Sequence, residues 1–406
     1  MSRASLVLHE SQSLSTLCCM LSMYLSFFSI HALSSILVPY LPIILHNHGL
    51  SPTVIGFLLG LHEGVGILGP FLVAQWSDRS KNPRRVLLLC TVLLMAACIP
   101  LTLAPTLLGI VLAISVVAFF WRSMFPVQDS MAMLFLGGDT WKYTKLRASG
   151  TLGFVCFSLF FQFTPFLHTT DNRSLLIWLL IGGVVFSCSL LFIPKAAPLE
   201  KVSRKRILWP FSKSALGHQV FSRSLILGIV VIGLNRFSMS VVSSFFSLYV
   251  TEDLGRGDSL SLLMALGAAS ELFFMLIAGR LLHRGIDPMR LITISSIGLC
   301  LRLAIYALFP SLGGAVLGQL FHSIVFGFLH PAAVVFVYRH MALEHSATGM
   351  ALYTSFGVGL PMVLGTLLSG FFIELIGFRN LFGLFIVFAL LSLFLSYLYR
   401  KELADH

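Results

Sequence analysis

Apolar stretches recur along the whole chain, and short polar segments separate them. Each stretch has about 20 residues, which is enough for an α-helix to cross a hydrocarbon core of about 30 Å. The runs are continuous rather than alternating, which favours helices over a membrane barrel. The pattern predicts an all-α integral membrane protein with twelve transmembrane helices, over residues 17–45, 53–75, 86–104, 106–136, 146–168, 174–194, 223–250, 259–282, 289–309, 312–338, 347–376 and 379–399.

Composition agrees with this assignment and restricts the partners. Hydrophobic residues make up 57% of the chain and charged residues only 11%, against roughly a quarter charged in soluble domains. The net charge of +11 does not indicate nucleic-acid binding, because the basic residues lie in short loops between apolar runs. All seven cysteines lie inside apolar runs without a Cys-x-x-Cys spacing. We therefore predict no disulfide framework, metal site or cofactor, and the lipid bilayer as the surroundings.

The basic loops predict the orientation of the chain. Lys and Arg follow the second, sixth and eighth predicted helices, whereas the loops after the first, third and ninth contain neither. The positive-inside rule then places the basic loops, and with them both termini, in the cytoplasm. We expect a multi-pass protein of the bacterial inner membrane type that functions as a monomer.

One long polar interruption, Lys195 to Gln219, divides the predicted helices into two sets of six. We predict an N-terminal six-helix bundle over residues 1–194, a central cytoplasmic linker over 195–222 and a C-terminal six-helix bundle over 223–406. Weak internal similarity, about 205 residues apart, supports a repeat of the two halves. Two parallel six-helix repeats are an architecture of secondary transporters.

Charged side chains inside the predicted spans are the strongest functional signal. An ionisable group at bilayer depth costs several kcal/mol, so each one is a candidate for a functional site. At least seven such residues occur in this chain: Glu63, Arg122, Asp129, Arg147, Arg236, Glu271 and Arg302.

The depth of these residues follows from the helical rise, because two residues equally far from a tight turn lie at one level. Asp129 and Arg147 are each nine positions from residue 138, so they can pair between adjacent helices. Arg302 and His322 are each ten positions from residue 312. The same counting places Arg236 and Glu271 near the level of Arg302 and His322, which predicts a polar layer on four consecutive helices.

These residues are assigned to three predicted roles. Glu271 is the first candidate for the coupling proton and His322 the second, because a carboxylate beside a histidine and arginines can exchange a proton as its contacts change. The excess of positive groups in the layer favours an anionic or hydroxyl-rich solute. The full assignment is substrate binding for Asp129, Arg147, Arg122, Arg302 and Trp121, proton coupling for Glu271, His322, Glu63 and Arg236, and gating for Asp78 and Arg79.

A purely structural role stays open for two predicted ion pairs, Asp129 with Arg147 and Arg236 with Glu271. For Arg122 a structural role, or a side chain that reaches towards the membrane surface, also stays open. The position of Arg122 far from both ends of its span disfavours the second of these. Trp121 either stacks on a ring of the solute or packs within the bundle.

Several of these residues resemble those of a known family. Asp129, at the end of Pro126-Val127-Gln128-Asp129, and Arg147, 18 residues later, look like the acid and arginine on helices 4 and 5 of lactose permease-like transporters. The sequence is nearer to the phenylpropionate permease branch of the major facilitator superfamily. Its motifs are matched by Ser270-Glu271, by Leu301-Arg302 and by the histidines His322 and His330, eight residues apart.

This resemblance implies a major facilitator fold and a proton-coupled symporter of a small organic solute. Lactose permease-like transporters carry a coupling glutamate three residues after the helix 10 histidine, where this chain has Val325. Glu271 is therefore expected to carry that role. Asp78 and Arg79 match the charged turn of the superfamily, although Ala74 replaces the usual first glycine of that turn.

The sequence therefore predicts a secondary transporter, rather than an enzyme, that works by alternating access with protons and a small organic solute as partners. An aromatic acid, a sugar and a nucleoside are the substrate classes considered. A proton-coupled exporter of drugs or metabolites is the closest alternative. An integral membrane transferase is more remote, since no His-x-x-x-x-Asp or Gly-x-Ser-x-Gly motif occurs, and a solute-sensing receptor is a further alternative.

Overall fold

A computed structural model describes residues 3–104, 106–136, 139–193, 222–340, 350 and 352–399, with side chains from residue 20 onward except those of residues 140 and 141. Within these ranges the regular secondary structure is entirely helical. Residues 195–221 of the predicted linker lie outside the described residues.

The described helices are long, and most of them follow one another with short connections. A π-helical turn, Tyr249–Asp253, continues the seventh helix, and another, Tyr353–Gly359, leads into the last one. The helices are α1 (Arg3–Asn47), α2 (Pro52–Ser80), α3 (Pro83–Leu103), α4 (Leu107–Phe135), α5 (Thr140–Phe163), α6 (Asn172–Leu191), α7 (Arg223–Leu248), α8 (Leu260–His283), α9 (Pro288–Leu308), α10 (Leu312–Arg339) and α11 (Leu360–Leu398).

The predicted all-α membrane fold is confirmed, but the number of helices differs from the twelve predicted. Among the described residues, 11 helices are long and apolar enough to cross a membrane. The difference arises because the last two predicted spans form one helical run of 46 residues, Tyr353–Leu398. At 1.5 Å per residue this run is about 70 Å long, more than twice the hydrocarbon core. Its backbone leaves the helical conformation at Gly377, where φ is 73° and ψ is 170°.

Local sequence signals explain where several helices begin. The Asn82 side chain accepts a hydrogen bond of 3.2 Å from the Arg85 backbone N–H, directly before Pro83 starts α3. The Asp287 side chain likewise accepts from the Met289 N–H at 2.9 Å at the start of α9. A polar N-cap satisfies a free N–H of the first turn, and proline at the first helical position has the required φ.

The chain divides into two compact units. The N-terminal unit comprises Met1–Ile44 and Val65–Val202, and the C-terminal unit comprises Leu45–Gly64 and Ser203–His406. The predicted domain boundaries around the linker stay a prediction, because most of the linker lies outside the described residues. In the N-terminal unit α3 packs against α4 and α6.

In the C-terminal unit, α10 packs against both α8 and α9, and α11 packs against α7 and α9. Small residues allow close packing of this kind. A Cβ atom at Gly365 of α11 would lie 2.8 Å from the Phe237 carbonyl oxygen of α7. The position of α10 between α8 and α9 brings polar residues of three helices together.

Candidate functional site

Five polar residues of α8, α9 and α10 meet inside the C-terminal unit. We call them the C-terminal polar cluster: Glu271, Arg302, Tyr306, Gln319 and His322. Residues three or four positions apart lie on one face of a helix. Tyr306 therefore lies beside Arg302 on α9, and Gln319 lies beside His322 on α10.

Arg302 is the centre of this cluster and is buried, with 2% of its surface exposed. Its Nε donates to the Tyr306 hydroxyl at 3.2 Å, and its Nη2 donates to the Gln319 Oε1 at 3.1 Å. Its Nη1 lies 3.1 Å from the His322 Nδ1. The predicted proximity of Arg302 and His322 is confirmed.

The contact with Arg302 determines the protonation of the His322 ring. A guanidinium can only donate hydrogen bonds, so the His322 Nδ1 must accept and carries no proton. The proton of the neutral ring is then on Nε2, which lies 3.4 Å from the Glu271 Oε2. Glu271 is therefore the acceptor at the end of a chain of contacts from Arg302 through His322.

The predicted pairing of Arg236 with Glu271 is wrong. Glu271 pairs with His322, and no carboxylate of the described residues forms an ion pair with Arg236. The reason is geometric, because counting residues gives the depth of a side chain but not the direction in which it points. Arg236 on α7 is nevertheless close enough to His322 to interact with it electrostatically.

A second group of polar residues lies in the N-terminal unit. We call it the N-terminal polar cluster: His31, Asp129, Tyr143 and Arg147. The Asp129 Oδ2 lies 3.5 Å from the Arg147 Nη1, which confirms the predicted pair. Arg147 also donates to the Tyr143 hydroxyl at 3.1 Å, and His31 lies within electrostatic range of both charged groups. The pair thus has polar neighbours from α1 and α5.

We expect Asp129→Asn to separate a functional role of this pair from a structural one. The Arg147 and Asp129 side chains are 58% and 32% exposed, so the pair contributes less than about 1 kcal/mol to the free energy of unfolding. Solute transport should fall strongly while the melting temperature in detergent hardly changes. The matched control is Asp139→Asn, which removes an exposed partner of Lys142 at the start of α5. Unchanged transport in Asp129→Asn would support the structural reading.

The remaining predicted residues lie at separate places. Trp121 is buried in the N-terminal unit, 3% exposed, with its ring edge-to-face against Phe125 at 5.0 Å. The Arg122 side chain packs against α2, where a Cβ atom at Gly66 would lie 2.8 Å from the Arg122 Cγ.

The predicted coupling and gating residues of α2 lie elsewhere. The Glu63 Oε1 lies 3.8 Å from the His62 Nδ1 in the C-terminal unit. Asp78 and Arg79 are exposed near the end of α2. Substrate binding, coupling and gating by these residues stay predictions.

Three partners of the ionisable residues were not predicted from the sequence, namely Tyr143, Tyr306 and Gln319. Each lies three or four positions from an ionisable residue that was identified: Tyr143 before Arg147, Tyr306 after Arg302 and Gln319 before His322. Helical spacing around each ionisable residue inside a predicted span was therefore the signal that could have identified them.

Comparison with known proteins assigns the chain to a family. Residues 19–384 match the MFS_1 like family. The chain belongs to this family. The chain is 25% identical over 380 residues to the probable 3-phenylpropionic acid transporter of Escherichia coli (strain K12), covering 91% of this chain and 94% of that protein. It is 24% identical over 353 residues to the maltose permease of Geobacillus stearothermophilus, covering 86% of each.

A solved structure supports the fold of this transporter. The crystal structure of the nucleoside transporter NupG aligns with a TM-score of 0.73 at 17% identity, covering 96% of this chain and 98% of that one. The matched proteins are all transporters, so the chain is a multi-pass membrane transporter of the major facilitator type and not an enzyme. Their names refer to three different substrates, so the phenylpropionate permease branch stays a prediction.

Proposed function

We propose that this transporter is a proton-coupled symporter that moves a small organic solute by alternating access. The observation that supports the proposal is the continuous contact from Arg302 through His322 to Glu271, well inside α8, α9 and α10. Ionisable groups at this depth are rare in membrane proteins and occur along proton and substrate pathways.

Glu271 is the group that takes up the proton in this proposal. His322 already carries its ring proton on Nε2. A second proton on Nδ1 would make that nitrogen a donor facing the Arg302 Nη1, which is also a donor, so their hydrogen bond would be lost. Protonating Glu271 instead removes one negative charge and costs no hydrogen bond of Arg302. Val325, at the position of the coupling glutamate in lactose permease-like transporters, is fully buried and apolar.

Loss of the negative charge on Glu271 changes its attraction to the neighbouring ring and guanidinium. A proton can therefore favour one conformation of the transporter over another, which is the requirement for coupling. In the same proposal both termini are cytoplasmic, the membrane is of the bacterial inner type and the protein acts as a monomer. The residues before and after Gly377 cross the membrane as separate helices, which gives twelve crossings.

Proton movement in proteoliposomes tests this function. The purified full-length transporter is reconstituted with a pH-sensitive dye inside, and 3-phenylpropionate, maltose and uridine are added in turn outside. Proton uptake triggered by one of these solutes, and abolished by an uncoupler, is the expected result. Proton release in exchange for solute entry would instead support an antiporter that exports its substrate. No proton movement with any solute of these classes would contradict proton coupling.

A further inference from the structure

Arg236 is a buried cation whose hydrogen-bonding capacity is largely unused within the described residues. Only 5% of its surface is exposed. Its Nε has no hydrogen-bond partner, and its Nη1 contacts only the Met239 sulfur, at 3.9 Å. By contrast, every nitrogen of the Arg302 guanidinium has a polar neighbour. Buried guanidinium groups normally pair with an anion, because leaving such a charge uncompensated costs free energy.

The charges around Arg236 do not balance. Arg236 and Arg302 contribute two positive charges, and the partners of Arg302 are neutral groups of tyrosine, glutamine and histidine. Glu271 is the carboxylate of the C-terminal polar cluster, and it pairs with His322. Among the described residues of this region one positive charge is therefore uncompensated, and two are uncompensated when Glu271 takes up a proton. Binding of an anion would compensate it.

An aromatic surface lies beside the Arg236 guanidinium. The Arg236 Cζ is 4.9 Å from the centre of the Phe326 ring. On α10 the Phe326 ring lies between His322, at 5.8 Å, and His330, at 6.1 Å with nearly parallel planes. All three residues are partly exposed. A flat apolar group can pack on such rings while an attached anionic group reaches the guanidinium.

We propose that Arg236 binds the anionic group of the transported solute, so that the substrate is an organic anion whose apolar part packs on Phe326. This inference rests on the proposed transport function and names its substrate class. It moves Arg236 from the predicted coupling group to substrate binding. A guanidinium stays charged at all relevant pH values and cannot itself carry the coupling proton.

Matched pairs of anionic and neutral molecules test the substrate class. The full-length transporter in detergent is titrated calorimetrically at neutral pH with 3-phenylpropionate against 3-phenylpropionamide, glucuronate against glucose, and uridine monophosphate against uridine. In at least one pair the anion should bind about 10- to 100-fold more tightly than its neutral partner. Equal affinity within every pair, or binding of neither member of any pair, overturns the inference.

Substitutions of Arg236 test the residue. Arg236→Gln should reduce the affinity for the anion to that for the neutral partner, whereas Arg236→Lys should keep part of the preference. Arg256→Gln is the matched control, because Arg256 is exposed and pairs with Asp258 in the loop before α8. This control should bind the anion as the unmodified protein does. An undiminished preference for the anion in Arg236→Gln contradicts the inference.

Thermal stability distinguishes ligand binding from a structural role of Arg236. Without a bound anion, Arg236→Met removes an uncompensated charge, so its melting temperature should equal or exceed that of the unmodified protein. A clearly lower melting temperature of Arg236→Met would show that Arg236 stabilises the fold, and would contradict the inference.

Measurements of transport and of anion binding distinguish a failure of this inference from a failure of the proposed proton symport. Proton-coupled uptake of a neutral solute, with no preference for anions, would overturn this inference and leave the proposed symport intact. Binding of an anion through Arg236 without any proton movement would support the inference and contradict the coupling.

Discussion

Glu271→Gln is expected to abolish proton uptake triggered by the solute. The amide has nearly the same shape as the carboxyl group but cannot take up and release a proton. His322 would keep a neutral hydrogen-bond partner at Nε2, so the local packing should be preserved. Proton uptake into proteoliposomes should fall at least about tenfold, towards the level of empty liposomes, because a carboxylate in this position supplies the proton-binding group.

Two further measurements make this result specific. Exchange of labelled for unlabelled solute without a proton gradient should continue in Glu271→Gln, because exchange needs no net proton movement. Glu252→Gln is the matched control, since the Glu252 side chain is 49% exposed and lies 3.2 Å from the His46 ring. This control should transport normally. Unchanged proton uptake in Glu271→Gln would move the coupling site to Asp129, Glu63 or His322.

The second large effect is expected for Arg302→Met. This change removes three contacts at once and leaves the Tyr306 hydroxyl and the Gln319 oxygen buried without the donor they now have. Each of these two buried polar groups left without a partner costs about 1–3 kcal/mol, so the free energy of unfolding should fall by about 2–6 kcal/mol. The His322 ring also loses the contact that determines its protonation, so solute-driven proton uptake should be lost as well.

The melting temperature in detergent and proton uptake in proteoliposomes check this result together. Arg302→Lys keeps the charge but cannot reach all three partners in the planar arrangement of a guanidinium, so an intermediate loss of both quantities is expected. Arg379→Met is a suitable control, because the Arg379 Nε donates one bond, at 2.9 Å, to the carbonyl oxygen of Ala307. An Arg302→Met variant with normal stability and normal coupling would contradict the central role given to Arg302.

The sequence predicted contacts correctly where a single tight connection joins the two helices. Asp129 with Arg147 and Arg302 with His322 are both confirmed. In each case the residues lie equally far from one short loop, and antiparallel neighbours keep that register because each residue adds the same rise. The roles of these residues in transport are not decided by this agreement.

The sequence could not predict which group pairs with Glu271. Arg236, Arg302 and His322 lie at a similar depth by counting, and each is a chemically reasonable partner. In the structure α10 packs against α8, and the His322 Nε2 lies 3.4 Å from the Glu271 Oε2. The rotation of each helix about its axis decides this pairing, and packing of the neighbouring helices sets that rotation.

The sequence by itself determined that most of the chain lies in a lipid bilayer. It also determined which segments are membrane helices and how deep the charged residues lie along them. These depend on hydropathy and helical rise, which are properties of each segment alone. The tertiary structure decided that Arg302 has three neutral partners, that Arg236 has no carboxylate partner among the described residues, and that the last two predicted helices form one run interrupted at Gly377. Such features depend on which helices are neighbours and which faces they present, and only the packing of the whole unit determines that.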